Sequence, residues 1–133
     1  MTNTLIHLSH ALEHCIGGYW HISHGVTSCI ALPVIMEYLA DLEPHKVARV
    51  ARALGAVEYQ RDESDDRRDA LVGAEWLREF VGSLPVPTRL RDVVADFSGA
   101  PEVARIATRE LAFFGYVPPG GESTIKALLS RMW

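Results

Sequence analysis

The chain has 133 residues, 48% of them hydrophobic and 23% charged, a balance that suits one domain with a true core and excludes a disordered chain. Thirteen basic against 17 acidic residues leave a formal net charge of −4, which argues against a general phosphate-binding surface and so against nucleic acid as a partner. The longest unbroken apolar run, Cys29 to Met36, is far short of a membrane span, Met1 to Ser9 lacks a basic signal-peptide region, and two cysteines make no disulfide framework. The expectation is a single cytoplasmic domain over residues 1–133, with no membrane.

Helical signals recur from end to end, and alternation never lasts long enough to demand a sheet. Leu5, Leu8, Leu12 and Ile16 form one stripe on a helix from about Thr4 to Tyr19, and Tyr19 to Ser23 reads as a turn. The next helix, His24 to about Ala40, is apolar nearly all round, which predicts burial on most sides. Pro33 sits inside it and is expected to kink or break it, because proline has no amide donor. Val47, Val50, Ala51 and Leu54 mark a third helix that Gly55 ends.

The charge run Arg61 to Asp69 reads as the solvated first turns of a helix whose inner face is Gly73, Leu77, Phe80, Val81 and Leu84. Pro85 and Pro87 stop it. Thr88 is placed as the cap of a short turn over Arg89 to Val93. Ser98 and Pro101 open a helix through about Phe113, and Ser123 is placed as the cap of a last helix after the loop Pro118-Pro119-Gly120-Gly121. The sum is an all-α helical bundle of five to six helices.

Five of six histidines fall within the first 24 residues. His7, His10 and His14 are three and four residues apart, so a helix projects them from one face. His21 and His24 follow a turn that allows the chain to fold back toward it. Converging imidazoles are what zinc or ferrous iron takes, whereas lone histidines more often cap, pack or meet solvent. There is no His-Glu-x-x-His, no Glu-x-x-His and no Cys-x-x-Cys, so three familiar metal motifs are absent. Cys15 and Cys29 flank the cluster, where packing is the more frequent role of a free cysteine. Asp41 and His45 have ligand spacing, but Pro44 lies between them and the spacing reads as coincidence.

The segment from His10 through His14 to His24-Gly25 resembles the C-terminal half of the iron-containing (group III) alcohol dehydrogenases. Their signature is His-x-x-x-His followed ten positions later by His-Gly. Ala31 to Tyr38 is similar to the apolar helix that follows, and Phe80 to Asp92 to a later stretch, with a flavour of the butanol-dehydrogenase-like branch. The resemblance implies that His10 and His24 are metal ligands for Fe2+ or Zn2+, and that His14 is a catalytic histidine beside the substrate. It also implies Lewis-acid hydride transfer between a small alcohol or aldehyde and NAD(P), with His14 passing the released proton outward.

The family's Asp-x-x-x-His ligand pair and its Gly-rich nucleotide-binding domain are not found in the sequence. The resemblance therefore implies a nucleotide-binding partner chain that brings NAD(P) and the remaining donors, or self-association through the open histidine face. A non-catalytic helical remnant, serving as an oligomerisation or weak metal-binding module, is the alternative. A metal-dependent hydrolase using the histidines and Glu13 is a third, with no spacing in its favour.

Overall fold

The computed structural model describes the backbone of residues 4–58 and 65–133, with side chains from Leu8 onward in those spans. Within them it has six helices and no strand: α1 (Thr4–Trp20), α2 (His24–Leu42), α3 (Pro44–Ala53), α4 (Asp66–Gly82), α5 (Ala100–Phe113) and α6 (Glu122–Met132), with a 3-10 turn at Leu90–Asp92. The all-α expectation is met. The chain divides into two compact units, one of Met1–Leu32 with Pro87–Trp133 and one of Pro33–Val86.

In the first unit the described part of the α1 stripe behaves as its spacing demands, the Leu5 side chain lying outside the described residues. Leu8, Leu12 and Ile16 are fully buried, and α1 packs on α5, which packs on α6. Val103, Ala107 and Leu111 of α5 and Ile125, Leu128 and Leu129 of α6 complete this core. Three rings tie its ends together: Trp20 stacks on Phe97 at 6.0 Å, and Phe97 on Trp133 at 4.6 Å.

In the second unit α3 and α4 pack closely. Gly73 permits this, because a Cβ there would fall 2.3 Å from the Ala51 Cβ. Val47, Ala48 and Ala51 face Ala70, Gly73 and Ala74 across a dry seam of small side chains. At its edge Arg52 donates to Asp66 at 2.7 Å and to Asp69 at 2.7 and 3.1 Å. These hydrogen bonds hold the Asp69 carboxyl below the usual range against the opposing effect of its burial. Asp66 is lowered too, first by Arg52 and then by His45.

Several local expectations are corrected. Pro33 does not break α2, and it is buried inside a helix that runs on to Leu42. Packing offsets the missing hydrogen bond, since Ile30, Ala31, Ile35, Met36 and Leu39 around it are almost fully buried. By length and composition α2 could cross a membrane, with mean hydropathy 1.4, yet half of that window is buried in the protein.

α4 starts at Asp66, with the Asp65 side chain accepting from the Arg68 amide. Residues 61–64 of the charge run lie outside the described residues. Phe80 and Leu84 are exposed rather than inward, because the buried arc runs through Ala70, Ala74 and Val81, and Phe80 stacks on Trp76 instead. The two hydroxyl caps, Thr88 and Ser123, fail, while the helix that Ser98 and Pro101 open starts at Ala100. Ser98 binds Asp96 through its amide and hydroxyl, and Gly99 caps α5. Gly121 precedes α6, with Ser123 inside the helix. At the 3-10 turn the Asp92 carboxylate accepts from the Arg89 amide, and Thr88 takes no part.

Candidate metal centre

His10, Glu13 and His14 occupy successive positions on one side of α1, three and four residues apart. What brings His24 to them is the way α1 stops. His21 adopts a left-handed backbone with φ 55°, and the Ile22 amide donates back to the Gly17 carbonyl at 3.1 Å. This is the Schellman reversal, with histidine at the position that glycine usually takes. Gly17 keeps it tight, since a Cβ there would lie 2.9 Å from the Ile22 carbonyl oxygen. The chain turns within three residues, and α2 begins at His24 beside α1.

The three imidazoles then meet. Ring centroids are 4.6 Å apart for His10 and His14, 5.9 Å for His10 and His24, and 6.5 Å for His14 and His24. With Glu13, Gly17, Gly18 and Ile22 they line an open cleft of about 530 Å³. Glu13 forms its floor, only 6% exposed. The Ser9 hydroxyl donates to Glu13 Oε1 at 2.7 Å, while Glu13 Oε2 lies 3.5 Å from His24 Nε2. One donor atom each from His10, Glu13 and His24 lies within 4.8 Å of the other two.

Two imidazoles and a carboxylate are a donor set that zinc and ferrous iron both accept, so the side chains fit a divalent cation. His14 lines the same cleft, and its Nδ1 is 4.0 Å from Glu110 Oε1. The other Glu110 oxygen accepts from the Cys15 thiol at 3.3 Å. Burial, and then the Glu110 carboxylate, push that thiol up to about 12. Cys15 is accordingly a neutral, packed side chain.

Of the sequence candidates, the fold gathers His10, His14 and His24. His21 is exposed and belongs to the turn rather than the cleft. The His7 side chain lies outside the described residues. Asp41 and His45 go to separate partners, Arg67 at 2.7 Å and Asp66 at 3.0 Å, so their spacing is indeed coincidental. Glu13 enters the sequence reading only with the hydrolase alternative; its burial, within 4.8 Å of donor atoms of His10 and His24, shows only in the folded helix. His10-x-x-Glu13 is the Glu-x-x-His pair in reversed order and makes the same pair of neighbours on a helix.

The profile of the Fe-containing alcohol dehydrogenase family, C-terminal part, matches residues 1–133. The chain belongs to the Fe-containing alcohol dehydrogenase family. Lactaldehyde reductase of Escherichia coli K12 is 31% identical over 115 residues, covering 86% of this chain and 29% of that protein. The 1,3-propanediol dehydrogenase of Klebsiella pneumoniae is 27% identical over 122 residues, 92% of this chain and 31% of that protein. NADH-dependent butanol dehydrogenase A of Clostridium acetobutylicum is 33% identical over 85 residues, 63% of this chain and 21% of that protein. The chain thus spans less than a third of the length of these relatives. The family seen in the histidine spacing is the family found.

Proposed function

We propose that this chain is the metal-site half of an iron- or zinc-dependent alcohol dehydrogenase, moving hydride between a small alcohol or aldehyde and NAD(P). The observation that carries this reading is the convergence of His10 and His24 on one cleft, with His14 on its wall. Family membership and relatives named for lactaldehyde, propanediol and butanol support the substrate class. His10 and His24 hold the cation, which when bound supplies Lewis-acid polarisation of the substrate oxygen. His14, with its ring 4.6 Å from that of His10, takes the alcohol proton and passes it outward. The nicotinamide and further donors come from a nucleotide-binding partner chain that covers this face. We assign the pair to the cytoplasm, consistent with two free cysteines.

The test is reconstitution. The chain, loaded with Fe2+ or Zn2+, is mixed with a nucleotide-binding polypeptide of the same family, and NAD(P)H oxidation by short aldehydes is followed. Turnover that needs both chains, and that His10→Ala or His24→Ala abolishes, supports the proposal. Association without turnover, under either metal and either cofactor, favours the non-catalytic remnant.

A further inference from the structure

Glu13 is a carboxylate in a costly place. Its side chain is only 7% exposed, and it sits between the fully buried neighbours Leu12 and Ile16 on α1. A buried carboxylate requires compensation by hydrogen bonds and positive charge. One oxygen receives the Ser9 hydroxyl. The other faces His24 at 3.5 Å, and among the described residues no lysine or arginine pairs with it. Its free side opens to the cleft that His10 and His24 share.

We infer that Glu13 is a third protein donor to the cation, so that His10, Glu13 and His24 bind one divalent transition metal within this chain, before any partner contributes. The inference rests on the metal-site reading above and adds a ligand to it. Two imidazoles alone leave zinc short of the three protein ligands that its catalytic sites normally have, and two histidines with one glutamate are a complete set of that kind. Mobility is divided suitably among the three. Glu13 is fixed by burial and by Ser9, whereas the His24 side chain is 60% exposed and His10 is exposed. Metal bonds of about 2.0–2.2 Å place donors roughly 3.4 Å apart, inside the 4.8 Å seen here. The imidazoles therefore swing inward onto an anchored carboxylate, a rotation that exposed rings make at little cost.

A simple ion pair between Glu13 and a protonated His24 is the competing account, and it makes the opposite prediction for metal affinity. The experiment titrates the purified 133-residue chain with Co2+, followed by visible absorption, and with Zn2+ by calorimetry. One equivalent is expected to bind. Changes to groups that merely orient ligands cost 10–100-fold in affinity, so loss of a direct donor is expected to cost about that much or more.

Glu13→Gln keeps the size and the Ser9 contact while removing the charge. Weakening in Glu13→Gln, His10→Ala and His24→Ala, with His45→Ala unchanged, supports the inference. Weakening in the two histidine variants with Glu13→Gln binding as the parent does overturns it and leaves the metal-site reading standing. Unchanged affinity in all three, or no stoichiometric binding by the parent, overturns both. Circular dichroism checks folding. Should Glu13→Gln lose helicity, Glu13→Asp is read instead, with weaker binding in support and parental binding against.

Discussion

The Ser9 hydroxyl, one turn before Glu13 on α1, donates to Glu13 Oε1 at 2.7 Å and leaves Oε2 as the oxygen that faces His24. A small side chain outside the cleft thus sets the orientation of the group at its floor. Ser9→Ala is expected to lower Co2+ affinity about tenfold. Loss of one hydrogen bond to a buried carboxylate is also expected to cost roughly 1–3 kcal/mol in urea unfolding. Parental Co2+ affinity in this variant would show that Glu13 needs no such support.

His21 carries the left-handed turn without being part of the cleft. A residue with a Cβ pays about 1–2 kcal/mol in that conformation, partly returned through its stiffer unfolded chain. His21→Gly is expected to raise stability by a few tenths to about 1 kcal/mol, read from the denaturant midpoint. Metal affinity should stay at the parental value. A marked loss of affinity would mean that the ring of His21 reaches the cation after all.

Arg52 holds both Asp66 and Asp69 below the usual carboxylate range. Folding then favours their ionised forms, so this contribution is complete above the unfolded aspartate value of about 3.9. It is lost as pH falls through the lower folded values. Stability of the chain should therefore drop steeply below about pH 4. Asp69→Asn should flatten that drop, although it is less stable than the parent near neutrality. Unfolding by urea at a series of acid pH values decides it, and an unchanged slope in Asp69→Asn would remove the clamp from the account.

Cys15 should resist alkylation. Its thiol is moved from the usual 9.0 to about 12, and the reactive form is the thiolate. Iodoacetamide at pH 8 is expected to leave Cys15 intact in the folded chain and to label it fully in urea, as read by mass spectrometry. The linked stabilisation is present below pH 9.0 and lost as pH rises toward 12. Equal labelling rates in the two states would contradict the burial of Cys15 against Glu110.

Helix positions were readable because burial follows a period that sequence displays. Leu8, Leu12 and Ile16 announce the inner side of α1, and Val47 with Ala51 that of α3. The ends were harder. Thr88 and Ser123 look like caps, but whether a hydroxyl caps depends on the local backbone, and ahead of α6 it is Gly121, with φ 58°, that takes the cap position. The break expected at Pro33 does not occur for a related reason, since a penalty visible in one residue is outweighed by neighbours that sequence does not locate. At the cleft, the spacing places His10 and His14 on one face of α1, and the reversal at His21 brings His24 to them. Glu13 stood beside the histidines only in the hydrolase alternative, because spacing does not separate an enclosed carboxylate from a solvated one, and only the packed helix shows it enclosed.

Trp133, the last residue, stacks on Phe97, which stacks on Trp20 at the end of α1. Those indoles lie 113 positions apart in sequence, from 20 to 133, yet they share one benzene ring as a spacer. The column braces the very stretch of chain that must reverse to deliver His24. Clipping a single indole from the far terminus should consequently be felt as slack in the hairpin bend, and tryptophan emission offers a built-in gauge of whether that bend is taut.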